Sequence, residues 1–269
     1  MGSMDRTWKR RALFVAAVTV GVAGVTASAL LAPGLPPEGG FGHAVAAVRP
    51  ASEPRAAVDA SKPEVPLQSG PSPSLIATLS APTAYSATPG GPSVGTLPAT
   101  NPFGTAEVLA VVGRPDPSGW VQVELPVRPN GTLGWIPVST ITLTETTYRV
   151  VVNRAADTLT VFNGANQVLQ VPAAVGKPSS PTPPGDTYLW ELIRPDNPHG
   201  AYGPYIFGLG WFSDSYAVFN GGDAQIGIHG QDEPWSVGHP VSHGCVRLDN
   251  SVITELAGML PLGTPVTIQ

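Results

Sequence analysis

Cysteine and charge are what this 269-residue chain has least of: one cysteine, Cys245, and 12% Asp, Glu, Lys and Arg together. A single cysteine excludes an intrachain disulfide. It also excludes a lipid anchor on cysteine, which needs the thiol just after an N-terminal apolar run, far upstream of Cys245. Fourteen basic against nineteen acidic side chains give a net charge of −5. No basic stripe is present, so nucleic acid is excluded as a partner. No internal repeat signals a solenoid or propeller. Glycine and proline, by contrast, are plentiful at 31 each. That composition disfavours helices and favours strands joined by turns. The length allows one large or two small domains.

Long apolar runs are confined to the start. Residues 1–11 end in Lys9-Arg10-Arg11, and the uncharged apolar stretch 12–32 follows. That stretch is long enough to cross a bilayer once as a helix. Basic residues before it keep their side in the cytoplasm, so the remainder is expected to be exported and tethered in the cell envelope. "TASA" (Thr26 to Ala29) offers an A-x-A type cleavage site, which leaves cleavage open. Export places the chain where paired cysteines would oxidise. An unpaired cysteine there asks for a chemical explanation.

Residues 33–74 are rich in Pro, Ala, Gly, Ser and Glu without periodicity, and read as an extended linker. Residues 75–145 return to short apolar runs. Trp120 to Leu125 alternates, and Asn130-Gly131 stands between two strand-like segments as a hairpin signal. A small β-module is expected there. From about Thr147 a second β-unit runs to the end, 146–269. Asn163-Gly164 marks a turn in it, and strands are expected at Tyr188–Ile193, Ala217–Phe219 and Gln225–His229. One helix is expected, capped by Asn250 or Ser251, with Val252, Leu256 and Leu260 on one face and Pro261 as its stop. "TPVTI" reads as a closing strand.

Chemistry concentrates in the second unit, in "IGIHG" and "VSHGCVRLDN". His243 and Cys245 stand two apart, so on a strand their side chains share a face. His229 precedes Cys245 by a distance suited to strand, loop and return strand. A thiol is a weak nucleophile until an imidazole takes its proton. Acyl transfer also needs N–H donors for the oxyanion, for which the backbone at Gly244 and Cys245 is suited. Two other readings stand beside this one. A lone cysteine is often a buried apolar residue. One cysteine and two histidines with Asp232 or His239 would make a zinc site, although the spacing lacks the usual close pairs.

"IGIHGQDEPWSVGHPVSHGCVRL", "TPPGDTYLW" and "GPYIFGLGWF" together resemble the catalytic core of the L,D-transpeptidases, the YkuD-type cysteine enzymes of bacterial cell walls. The likeness spans about Tyr148 to Gln269. It implies a mostly β fold, a β-sandwich with one short helix. It implies Cys245 as nucleophile, His229 as proton acceptor and the Gly230 carbonyl as the group that orients His229. His243 matches the histidine of "SHGC" as a catalytic residue that holds substrate or the oxyanion, and Ser242 and Gly244 match the same motif as oxyanion or orienting residues. Arg247 is implied to meet a substrate carboxylate, and Tyr205 and Trp211 are further candidates for substrate contact. The glycine- and aromatic-rich segment 197–215 is expected to form part of a lid. "NGTLGWIPVSTITL" resembles a bacterial SH3-like module, a spacer or wall-binding unit.

The implied activity is peptidoglycan cross-linking through a cysteine thioester, 3→3 between stem peptides, without metal or cofactor. Carbapenem-type β-lactams are the implied inhibitors. Capture of the same thioester by water would make an L,D-carboxypeptidase. A non-catalytic wall-binding protein is the rival from another class.

Overall fold

The computed structural model describes residues 73–269. The basic segment 1–11, the expected membrane helix 12–32 and nearly all of the expected linker lie outside the described residues. Among the described residues no helix is long and apolar enough to cross a membrane.

Alternating and continuous apolar runs make two sheets. The first takes β1 (Ser74–Leu79), β2 (Thr83–Ser86), β3 (Ser93–Leu97), β4 (Val108–Val112), β5 (Trp120–Glu124), β6 (Leu133–Pro137) and β7 (Ile141–Thr146), in the order β3-β2-β6-β5-β4-β1-β7. All its pairings are antiparallel. Asn130-Gly131 lies in the loop that joins β5 to β6, whose register sets Gln122 opposite Trp135. Leu109, Val121, Val123 and Ile136 are buried beneath this sheet.

The second sheet takes β8 (Tyr148–Asn153), β9 (Thr158–Asn163), β10 (Asn166–Pro172), β11 (Gly185–Ile193), β12 (Ile206–Phe212), β13 (Gln225–His229), β14 (Val246–Arg247) and β15 (Pro265–Ile268), in the order β10-β9-β8-β15-β11-β12-β13-β14. Two pairings are parallel, β15 with β8 and β13 with β14. The Asn163-Gly164 signal closes the β9–β10 hairpin. Ala217–Phe219, expected as a strand, makes only isolated bridges at Phe219. That segment is a loop that wraps the site.

The single α-helix among the described residues, α1 (Asn250–Met259), packs under β13. Ile253 and Leu256 are its buried residues, whereas Val252 is half-buried. Burying such side chains contributes about 1.5–3 kcal/mol each. Its N-cap is Asp249, one residue earlier than expected, and Asp249 makes no side-chain cap. Asn250 does other work: its Oδ1 accepts the Gln231 N–H at 2.8 Å. The helix ends at Leu260, just before Pro261.

Strand β11 is buried on both faces and joins the two cores. Leu189 enters the core under the second sheet, with Phe207, Leu209, Ile228 and Leu256. Tyr188 and Trp190 enter the core of the first sheet. Strand alternation accounts for this opposition. Between Leu189 and Glu191 the register against β12 slips, so Glu191 pairs with Gly208 next to the Leu189–Leu209 pair. Such a bulge re-aims the side chain that follows it.

Buried acids stand where the two cores adjoin. Glu107, Glu124 and Glu191 are all at most 2% exposed. The Trp190 indole N–H donates to Glu107 at 2.7 Å. Burial raises the pKa of Glu107 and Glu191 to about 7 and of Glu124 to about 8.

Candidate active site

Strand β13 carries two faces with two tasks. Ile226 and Ile228 point into the core, so Gln225, Gly227 and His229 point the other way. Strand β14 runs parallel beside it, with Ile228 opposite Val246 and His229 opposite Arg247. One residue earlier, Gly227 and Cys245 meet: the Gly227 N–H lies 3.4 Å from Cys245 Sγ. Thus Cys245 and His229 come to one face through a parallel neighbour rather than a return strand. Both line the same cavity.

His229 is 3% exposed. Its Nδ1 lies 2.5 Å from the Gly230 carbonyl, which can only accept, so Nδ1 carries the proton. Nε2 is left as a base. Burial pushes the His229 pKa down to about 4; the Gly230 carbonyl opposes this and the Arg247 charge adds to it. Tyr202 meets the imidazole edge-on, with centroids 5.0 Å apart. Gly230 itself has no room for a side chain, because a Cβ there would stand 2.2 Å from Asn250 Oδ1. Asn250 therefore fixes the carbonyl that fixes the imidazole.

Burial pushes the Cys245 thiol up from its ordinary value; the Gly227 N–H and the Arg247 charge oppose this. Thiol and imidazole are thus both neutral at pH 7. The cavity therefore holds a neutral thiol and a neutral imidazole rather than a preformed ion pair.

Residues 242–245 are a tight turn rather than a strand. Gly244 has φ +124, a backbone region that favours glycine. Ser242 is 1% exposed and ties the turn together. Its hydroxyl donates to the Cys245 carbonyl at 2.5 Å and accepts the Gly244 N–H at 3.1 Å. The Gly244 N–H, expected as an oxyanion donor, is therefore already committed. The turn also corrects the expectation of a shared strand face. His243 is exposed, whereas Cys245 is only partly so, although both line the cavity. Lys177 Nζ lies 3.3 Å from His243 Nε2. Burial, then Lys177 and Arg247, lower the His243 pKa. Arg247 lines the cavity and pairs with Glu233 at 3.0 Å.

Tyr205 and Trp211 do not line the cavities at Cys245. Tyr205 packs on the core, and its hydroxyl is engaged by Arg194. Trp211 is 7% exposed and packs over Gly185, close enough to Glu124 to lower its pKa. The tyrosine and phenylalanine side chains that line the cavity shared by His229, His243 and Cys245 are Tyr202, Tyr216 and Phe219. Tyr202 lay inside the expected lid, and the middle of that segment is the core strand β12. Tyr216 and Phe219 lay in or beside the run read as a strand.

The loop 213–223 is held from the first sheet. Arg128, in the β5–β6 loop, donates to the carbonyls of Ser213 at 2.8 Å, Tyr216 at 3.0 Å and Asp223 at 2.9 Å. Its guanidinium also lies 5.1 Å from the Phe212 ring centroid. Asn130 exchanges two hydrogen bonds with the Phe212 backbone, at 2.8 and 2.9 Å. Lys177, Arg128 and the tyrosines carried no sequence signal beyond their chemistry, because their partners lie far away in the chain. Among the described residues no three His, Cys, Asp or Glu side chains converge as metal ligands.

Residues 147–268 match the L,D-transpeptidase catalytic domain family, YkuD. That match leaves the seven-stranded sheet outside it. The chain is 38% identical over 121 residues to the candidate L,D-transpeptidase YkuD of Bacillus subtilis (strain 168), covering 45% of this chain and 65% of the relative. It is 32% identical over 129 residues to YqjB of the same strain, also described as a candidate L,D-transpeptidase, covering 44% of this chain and 69% of that one. The chain therefore spans about two thirds of the length of these relatives. Among solved structures, the catalytic domain of the Enterococcus faecium L,D-transpeptidase is 24% identical, with TM-score 0.36, over 45% of this chain and 96% of that one.

Proposed function

The chain belongs to the L,D-transpeptidase family, and from that premise we propose that it forms 3→3 cross-links between peptidoglycan stem peptides through a thioester on Cys245. The observation that carries this reading is the placement of Cys245 Sγ against the Gly227 N–H, in one cavity with a buried imidazole whose Nδ1 is held by Gly230.

The chemistry follows from the two neutral groups. As Sγ adds to the carbonyl carbon of the third stem residue, its proton passes to Nε2 of His229. The Cys245 N–H is the donor left in the turn for the oxyanion, since Gly244 serves Ser242. Collapse of the adduct breaks the C–N bond, and the proton leaves with D-alanine. An acceptor amine then attacks the thioester. A new C–N bond forms, the C–S bond breaks, and the amine proton returns to sulfur through His229. His243 and Arg247, on the cavity wall, face the donor peptide, with Arg247 exchanging Glu233 for a substrate carboxylate. Capture by water instead of an amine is the competing outcome at the same thioester.

The setting proposed is the cell envelope, with the segment 12–32 as tether and the first sheet as an SH3-like spacer. Carbapenems, as strained acyl donors, should acylate Cys245. Intact-protein mass spectrometry with a carbapenem is the test. One adduct on the wild type and none on Cys245→Ala is expected; an unmodified wild type, or an adduct retained by Cys245→Ala, refutes the reading.

A further inference from the structure

The segment 175–182 is laid against the turn that carries Cys245. The Ser242 N–H donates to the Val175 carbonyl at 3.0 Å, and the Lys177 N–H donates to the Ser242 carbonyl at 3.0 Å. The segment then folds back on itself. The Gly176 N–H donates to Thr182 Oγ1 at 2.9 Å, and the Ser180 N–H to the Lys177 carbonyl at 2.9 Å. Backbone pairing with Ser242 therefore sets Lys177 beside the next residue of the turn, His243.

Lys177 Nζ ends 3.3 Å from His243 Nε2. An ammonium has three N–H groups and no lone pair, so it can only donate. Nε2 then accepts. An imidazole that accepts at Nε2 is neutral and carries its proton on Nδ1. Two rings of the loop 213–223 pack on the same imidazole, Phe219 at 5.4 Å between centroids and Tyr216 at 6.2 Å. Lys177 lines neither cavity at Cys245, whereas His243 lines the one it shares with His229 and Cys245. With Nε2 turned to Lys177, the nitrogen left for that cavity is Nδ1, as a donor.

The titratable groups around the ring are Lys177, Tyr216 and, on the shared cavity, Tyr202, His229, Cys245 and Arg247. Glu233 pairs with Arg247, and that is the only ion pair among the described residues. No carboxylate therefore draws Lys177 away from His243. Burial, Lys177 and Arg247 all act against an imidazolium at this position.

We propose that Lys177 is a positioning residue of the acyl-transfer site, whose ammonium holds His243 as the neutral Nδ1–H tautomer and so presents an N–H to the acyl donor. This rests on the thioester reading above for the reaction it serves. Both histidines then carry the proton on Nδ1, yet they do opposite work. His229 offers the lone pair of Nε2, and His243 offers the N–H of Nδ1. The thiol proton has one ring to go to, because Nε2 of His243 is already taken.

The test is made on the full chain with isotope-labelled histidine, by long-range proton–nitrogen correlation at pH 7. The signals of residue 243 are identified by their loss in His243→Gln. The wild type should show the proton on Nδ1 and a bare Nε2. Lys177→Arg, which keeps a donor and a charge, should show the same pattern. Lys177→Met should lose it, and the His243 titration should move up in pH once the cation is gone. Acylation of Cys245 by a carbapenem should slow by about three- to tenfold in Lys177→Met and by less than about twofold in Lys177→Arg. A wild type with the proton on Nε2, or with a charged imidazole at pH 7, overturns the proposal whether or not the variants fold. So does a Lys177→Met protein that keeps the wild-type ring pattern, or one that changes it and acylates at the wild-type rate. A wild type that forms no carbapenem adduct brings down the proposed function instead, and the ring pattern is read without any acylation.

Discussion

Replacing Arg128 by alanine removes a clamp that lies on the first sheet and acts on the wall of the site. The guanidinium bonds three carbonyls spread over the loop 213–223, which carries Tyr216 and Phe219. A hydrogen bond from a charged donor is worth about 1.5–3 kcal/mol when shielded. The Ser213 bond is partly buried, and the other two are exposed, where water competes. Counting about 1.5 kcal/mol for the first and about 0.5 for each of the others gives a total near 2.5 kcal/mol. The Phe212 stacking adds about 0.5. At 1.36 kcal/mol per factor of ten, about 3 kcal/mol corresponds to an upper limit of roughly a hundredfold on the population of the ordered loop. The assay is the second-order rate of Cys245 acylation by a carbapenem, read beside amide exchange of residues 213–223. The expected result is a slowing of between about ten- and a hundredfold, with faster exchange confined to that loop. Arg128→Lys, which keeps the charge but not the planar fork, should fall between the two. Wild-type acylation with freely exchanging amides would refute the claim that this loop shapes the site. Unchanged exchange would refute the clamp.

Two further predictions concern protons. Because Cys245 is held above its ordinary value and His229 near 4, the thiol should alkylate slowly with iodoacetamide at pH 7 and accelerate only as pH rises through and beyond the free-thiol range. A rate plateau below pH 7 would instead reveal a preformed ion pair. The buried acids should make stability fall with alkali. Glu107, Glu124 and Glu191 have ordinary values of 4.5 and folded values of about 7, 8 and 7. Between those limits the folded chain holds more protons than the unfolded one, so the stabilisation is complete below 4.5 and is lost as pH rises through 7–8. His229 works in the opposite direction: its contribution is complete above 6.5 and is lost as pH falls towards 4. Calorimetry should therefore place the highest Tm on the mildly acidic side of neutrality, and Glu124→Gln should flatten the alkaline fall by several degrees, on the order of 5 °C. A Tm that rises from pH 6 to 8.5 would refute the burial argument.

What could be read locally in the sequence was what local physics fixes. Alternation from Trp120 to Leu125 and the Asn-Gly pairs at 130 and 163 located hairpins, because period and turn residues act within a few positions. The helix starts one residue before the position Asn250 suggests, because Asn250, a good cap by type, holds Gln231 instead. The apolar run Ala217–Phe219 has the pattern of a strand, yet it makes only isolated bridges, and Tyr216 and Phe219 line the cavity. Spacing alone brought His243 and Cys245 to one face, and the glycine at φ +124 between them removes the strand on which that argument rests.

The sequence by itself determined a mostly β chain, a sole thiol and the nearby histidines, since composition and short-range pattern need no tertiary contact. It did not determine which groups the thiol would meet. That was decided by the parallel pairing of β13 with β14 and by Arg128 reaching residues 85 to 95 positions away. Each is a contact between segments remote in the chain. Its free energy depends on the closing of the whole sheet, which no local window contains.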